Sequence, residues 1–174
     1  MTSESTRSDD DPAPTPGHQA KVLTVSDGVV AGVREDRTGA AIVELLGRHG
    51  LEVIEHRVVS DGVAEVSNAL SYMAYGFNGL VVTTGGTGFG VRDLTPEATK
   101  RILDRTAPGF AEAMRAVNPL GRLSRGVAGI RGSALILNTP GSTAGALEML
   151  GAVLDVVDHA LDLLGGASGG HPTG

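Results

Sequence analysis

The sequence predicts an α/β fold, a mostly parallel sheet with helices on both faces. Two observations lead there. Short apolar runs alternate with amphipathic stretches along the middle of the chain, and strands separated by helices call for parallel pairing, because parallel neighbours need a crossover connection. One run, "GLVVTT" at residues 79–84, is apolar without alternation until its threonines, as expected of a strand covered on both sides. At 174 residues the chain suits one domain with a buried core and is short for two.

The elements follow in order. Residues 1–19 are polar, acidic and proline-bearing, with too little apolar surface to offset the entropy of ordering, and read as a disordered arm. The domain is expected over residues 20–165, with a flexible glycine-rich tail at 166–174; His18 and His171 fall in these arms. "KVLTVS" at residues 21–26 is the first strand. "TGAAIVELLGRHG" sets Ile42, Leu45 and Leu46 at helical spacing, with Thr38 as its cap and Gly50 as its stop. "LEVIEHRVVS", residues 51–60, alternates as a half-buried strand near a sheet edge, and Asp61 stands where it would cap the next helix, "GVAEVSNALSYMAYG".

Beyond the central strand, helices are expected at "TPEATKRILDR", with Pro96 in its first turn, and at "PGFAEAMRAV". "GVAGIRGSALILN" reads as two short strands around Arg131 and Gly132. Leu147, Leu150, Leu154, Val157, Leu161 and Leu164 recur at three- and four-residue spacing, which predicts one last helix packed on the sheet.

Composition narrows the function. A net charge of -6 and a pI near 5.3 argue against nucleic acid or an anionic membrane as partner, since either needs concentrated Lys and Arg. Without cysteine there is no disulfide and no thiolate metal site. No stretch of about 18 apolar residues and no secretory leader pattern stand in the chain, so a cytoplasmic protein is expected. The 26 glycines are in excess and ask for a role in loops.

That role lies at the strand ends, where ligands bind in sheets of this kind. Each core strand leads into small polar residues and glycine: "TVSDG", "VVSDG", "TTGGTG" and "LNTPGST". Successive glycine amides can turn inward and approach phosphate oxygens, with hydroxyls of Thr84, Thr87, Ser142 and Thr143 as further donors. The order Gly85-Gly86-Thr87-Gly88-Phe89-Gly90-Val91-Arg92 lacks the lysine of a Walker loop and the third small residue of a dinucleotide fingerprint. Asp61 and Asp93 sit at two of the strand ends. Carboxylates beside phosphate make electrostatic sense with a hard cation between them, and Mg²⁺ uses one or two carboxylates plus substrate phosphates. Taken singly, each feature has a plainer explanation: a helix cap for Asp61, a turn carboxylate or an ion pair with Arg92 for Asp93, a tight connection for the glycines. Their joint placement favours a site. His49, His56 and His159 lack metal-ligand spacing and are expected in core or surface roles.

"TTGGTGFGVRDLTPEAT", together with "VSDG", "SDG" at Asp61, "PGFAEAMR", "LSR" and "LNTPGS", closely resembles the signature of the MoaB/Mog family of molybdenum-cofactor biosynthesis proteins, and the likeness covers residues 21–164. The resemblance implies a three-layer α/β fold, a homotrimer, and binding of molybdopterin. In the adenylyltransferase branch it implies Mg²⁺ and ATP, with AMP passing to the terminal phosphate of molybdopterin, pyrophosphate leaving, and a molybdenum-insertion enzyme as onward partner. Carried over by motif, Asp61 and Asp93 would be the catalytic and metal-placing carboxylates. Thr84, Gly85, Gly86, Thr87 and Gly88 would hold phosphate, while Ser26, Ser124, Pro140, Gly141 and Ser142 would line the pterin or nucleotide pocket. The chain has Pro140-Gly141-Ser142-Thr143 where insertion-type relatives tend to "PGNP", so a non-catalytic molybdopterin-binding or scaffold paralogue stays open beside the enzyme. A generic nucleotide-binding regulator is disfavoured by the lack of a separate output domain.

Overall fold

The computed structural model describes residues 17–166; the expected arm and tail otherwise lie outside the described residues. The chain runs β1 (Gln19–Val25), α1 (Asp27–Val30), α2 (Arg37–Arg48), β2 (Glu52–Val59), α3 (Val63–Ala74), β3 (Gly79–Thr84), α4 (Thr95–Ile102), β4 (Arg105–Thr106), α5 (Pro108–Ala116), a 3₁₀ turn (Pro119–Leu123), β5 (Ala128–Arg131), β6 (Ala134–Thr139), α6 (Thr143–Gly151) and α7 (Leu154–Leu164). One sheet has the order β2-β1-β3-β6-β5-β4. Its first four strands are parallel, and β5 and β4 add an antiparallel margin. The expected α/β, three-layer architecture is present.

Strand period explains the two cores. Alternate residues of a strand face opposite sides, so Ala20 and Val22 of β1, Leu80 and Val82 of β3, and Leu135 and Leu137 of β6 pack with α2, α5, α6 and α7. Leu23, Val25, Val81, Ala134 and Ile136 face the other way and pack with α3 and α4. Every residue of β3 and β6 is buried, which is why their sequence shows no polar alternation. β2 sits at the edge, as its alternation predicts.

Several local expectations are corrected. The first strand begins at Gln19 rather than Lys21, and His18 is engaged: its carbonyl accepts from the Glu52 amide at 3.0 Å and its ring meets Asp162 at 3.0 Å. The cap of α2 is Asp36, whose Oδ1 accepts from the Gly39 amide at 2.9 Å, not Thr38. Asp61 does not cap α3; Gly62 stands at that position without a side-chain bond. A short helix, α1, and a short strand, β4, occupy stretches expected to be irregular or helical. The last apolar repeat is broken into α6 and α7 at Ala152 and Val153, so that α6 packs on α2, α5 and β6 while α7 lies along β6 and β3.

Candidate functional site

The order β2-β1-β3-β6 puts a switch point between β1 and β3, because β1 is followed by the strand on its outer side and β3 by strands on the other. Ligand crevices form beyond the carboxyl ends at such points. A cavity of about 1200 Å³ opens there, lined by the ends of β1, β2, β3 and β6, the start of α2 and the 3₁₀ turn. Every site residue expected from the sequence lines it: Ser26, Asp61, Thr84, Gly85, Gly86, Thr87, Gly88, Asp93, Ser124, Pro140, Gly141 and Ser142.

The loop after β3 is built around two left-handed residues, Gly85 at φ +97° and Gly86 at φ +66°. A Cβ on Gly85 would strike the Val25 carbonyl, and one on Gly86 the Thr95 hydroxyl, so only glycine lets the loop lie this close to β1 and α4. All four carbonyls of residues 85–88 are engaged: Gly85 O by Thr95 Oγ1 (2.9 Å), Gly86 O by the Thr95 amide (3.1 Å), Thr87 O by the Arg125 amide (2.8 Å) and Gly88 O by Arg125 Nε (2.7 Å). The amides of Gly86, Thr87 and Gly88 have no partner among the described residues. Carbonyls committed and amides free make a backbone nest, an anion site.

Asp61 is held by a reciprocal pair. Its Oδ2 accepts from the Asp27 amide at 3.0 Å, and its own amide donates to Asp27 Oδ1 at 3.1 Å. Arg92 grips the same group, with Nε to Asp27 Oδ2 at 2.5 Å, Nη2 to Asp27 Oδ1 at 3.0 Å and Nη2 to the Asp61 carbonyl at 2.8 Å. Arg92 therefore pairs with Asp27, not with Asp93 as sequence adjacency suggested. The Arg92 hydrogen bonds hold the Asp27 carboxyl below its ordinary range, whereas burial, with Asp27 and Asp93 as neighbouring charges, pushes Asp61 above it. Asp61 Oδ1 is left without a hydrogen bond among the described residues. Asp93 closes its own turn, Oδ2 accepting from the Gly90 amide at 2.8 Å, and keeps Oδ1 unengaged among the described residues.

On the opposite wall, the Thr38 hydroxyl donates to the Gly141 carbonyl at 3.0 Å and meets Thr143 Oγ1 at 2.8 Å, tying α2 to the loop after β6. The Thr84 hydroxyl, expected to face phosphate, instead donates to the Pro140 carbonyl at 2.8 Å. Ser26 caps α1, whereas the Ser142 hydroxyl makes no capping bond to α6.

Sequence reasoning missed six of the lining residues. Asp36 accepts from Thr24 Oγ1 at 2.6 Å and lies 2.9 Å from His56 Nε2, which fixes the start of α2 against the cavity; an Asp ahead of a Thr-Gly helix start was the available signal. Arg34 and Arg37 bring the lining its cations, and Val33, Leu120 and Leu123 an exposed apolar side. Nothing in residue spacing announced these. Among the described residues, no group of three or more His, Cys, Asp or Glu is arranged to hold a metal.

With this geometry in hand, similarity to known proteins is informative. The family described as "Probable molybdopterin binding domain" matches residues 21–159. A molybdopterin adenylyltransferase of Helicobacter pylori strain J99 is 41% identical over 150 residues, 82% of this chain and 85% of that protein. One from Escherichia coli K12 is 38% identical over 80% of this chain and 77% of its own length. The crystal structure of the molybdopterin biosynthesis enzyme MoaB of Thermus thermophilus superposes with a TM-score of 0.81 at 47% identity, covering 86% of this chain and 97% of that one.

Proposed function

The chain belongs to the molybdopterin-binding domain family and to its MoaB/Mog branch, and we propose that it is a molybdopterin adenylyltransferase of molybdenum cofactor biosynthesis. The observation that carries the reading is the loop at residues 85–88, with its carbonyls engaged and its amides free, facing the same cavity as Asp61 and Asp93. The similarity to adenylyltransferases over most of the chain supports it.

In the reaction, an oxygen of the terminal phosphate of molybdopterin attacks the α-phosphorus of ATP, the bond to the β-phosphate breaks, and pyrophosphate leaves. The free amides of Gly86, Thr87 and Gly88 would receive phosphate oxygens, with Ser142 adding a donor, and fixed donors act strongly because they need no reorganisation during the reaction. The cavity, about 1200 Å³, has room for a nucleotide and a pterin together, so positioning would supply much of the rate. Ser26, Thr84, Ser124, Pro140 and Gly141 would shape the pocket walls.

The donor set fits Mg²⁺. Asp61 and Asp93 both line the cavity, and each keeps an Oδ1 unengaged among the described residues; hard cations take such oxygens together with substrate phosphates. When bound, the ion neutralises phosphate charge and polarises the phosphorus centre. Within the same reading the protein works as a homotrimer in the cytoplasm and passes its product to a molybdenum-insertion enzyme; no described helix is long and apolar enough to cross a membrane.

The test is incubation with molybdopterin, Mg²⁺ and α-labelled ATP. Label should reach the pterin, and Asp61→Asn and Asp93→Asn should each lower transfer by roughly 10²–10³-fold, the scale for losing one electrostatic contributor at a phosphoryl centre. Transfer that survives both substitutions removes the carboxylates from the mechanism. Pterin binding without any transfer selects the second reading, a binding-only paralogue. That reading is supported by the hydrogen bond each carboxylate already accepts from a backbone amide.

A further inference from the structure

We infer that Arg125, oriented by Glu97, is a positioning residue that keeps the carbonyl at the end of the 85–88 loop turned away from the cavity; this rests on the phosphate-binding role proposed for that loop. Arg125 is not among the cavity-lining residues and stands behind the loop. Its side chain reaches the end of the loop and the turn beyond it, Nε donating to Gly88 O at 2.7 Å and Nη2 to Asp93 O at 2.5 Å. Its main-chain amide takes Thr87 O. The carboxylate of Glu97, in the first turn of α4 two residues after Thr95, pairs with Nη1 and lies 3.5 Å from Nη2.

A peptide group is rigid, so the Gly86, Thr87 and Gly88 amides are set by the preceding carbonyls, two held by Thr95 and one by the Arg125 main-chain amide, while the guanidinium governs the next peptide, 88–89. With Gly88 O drawn backward by the guanidinium, the 88–89 peptide cannot rotate its oxygen into the cavity, where it would repel phosphate. The same grip on Asp93 O sets the base from which the Asp93 carboxylate projects. A planar fork with several fixed donors suits two separated acceptors and a carboxylate at once, and a lysine does not.

The experiment measures inorganic pyrophosphate binding by calorimetry, alongside thermal unfolding and the ATP dependence of AMP transfer, for wild type, Arg125→Gln, Arg125→Lys and Glu97→Gln. Arg125→Gln is expected to weaken pyrophosphate binding and raise KM for ATP by about tenfold, the worth of a charge-assisted hydrogen bond. Arg125→Lys should fail to restore either, and Glu97→Gln should show a smaller loss in the same direction. A purely structural role would lower Tm while leaving the folded variants' affinity unchanged, and a simple charge effect would be rescued by lysine; either result overturns the inference. If Arg125→Gln does not fold, Glu97→Gln decides, and unchanged affinity there overturns it. Wild-type protein that binds pyrophosphate in an Arg125-dependent way yet transfers no AMP would sink the proposed activity and leave this inference standing. Wild type that binds no pyrophosphate sinks this inference whatever the transfer assay gives.

Discussion

Asp61 and Glu97 are carboxylates with opposite electrostatic fates, and the difference has a measurable sign. Burial, and then the neighbouring Asp27 and Asp93, raise Asp61 above its ordinary value, so its contribution to stability is present in full below the unfolded value, about 3.9, and is lost as pH rises through the folded one. Glu97 is lowered, chiefly by its Arg125 hydrogen bond; its contribution is present above the unfolded value, about 4.3, and is lost as pH falls through the folded one. Asp61→Asn is therefore expected to be at least as stable as wild type at pH 7, since Asn still offers an oxygen to the Asp27 amide. Glu97→Gln should be less stable at pH 7, with the deficit vanishing toward pH 3. Urea unfolding at pH 7, 5 and 3 checks both, and an Asp61→Asn variant clearly weaker at pH 7 would contradict the burial account. At this scale the sequence made Asp61 and Asp93 readable because strand ends are where small polar residues gather. The Asp27–Arg92 pair was not readable, since its partners lie 65 residues apart and a nearer carboxylate, Asp93, stood beside Arg92.

Elements were legible where a single periodicity decided them and illegible where tertiary contacts did. β3 and β6 declare themselves as apolar runs. The break between α6 and α7 does not, because the leucine spacing passes through it unchanged and only packing on different partners separates the halves. The cap of α2 was misplaced because Asp36 and Thr38 both suit a helix start, and the choice is made by Thr24 and His56 from other strands. Among turns, the start of the 85–88 loop carries the sharpest demand. Gly85 combines φ +97° with a neighbour, the Val25 carbonyl, that a Cβ would strike. Gly85→Ala should cost about 1–3 kcal/mol from the backbone conformation alone, and more from the displaced end of β1. Equilibrium denaturation measures the loss, and a crystal structure or amide spectra should show the Ser26–Asp61 edge of the cavity moved. An alanine variant of wild-type stability would mean that the loop relaxes freely and is not templated by β1.

For the molecule as a whole, a mostly parallel sheet followed from the alternation of strands and helices, but the antiparallel edge strand β4 did not, because it has only two residues. What makes the site possible is that four parallel strands end at one edge, and those strands are held by cores on both faces. Each core shares the same strands: β3 sends Leu80 and Val82 to one side and Val81 to the other. Loss of either core should therefore loosen the sheet for both, so the chain is expected to unfold as one cooperative unit with no stage in which one face survives. Leu161 of α7 and Leu70 of α3 are fully buried on opposite faces. Leu161→Ala and Leu70→Ala should each lower stability by about 2–5 kcal/mol, and in each variant helix content and amide protection of β3 should be lost in a single transition. Their effects should add to within about 0.5 kcal/mol in the double variant, because the side chains share no contact across the sheet. Two resolved transitions in Leu161→Ala, with the α3 face melting later, would show that the sheet does not couple its faces, and the strand ends that carry Asp61 and the glycine loop would then be held mainly by the α3 and α4 side.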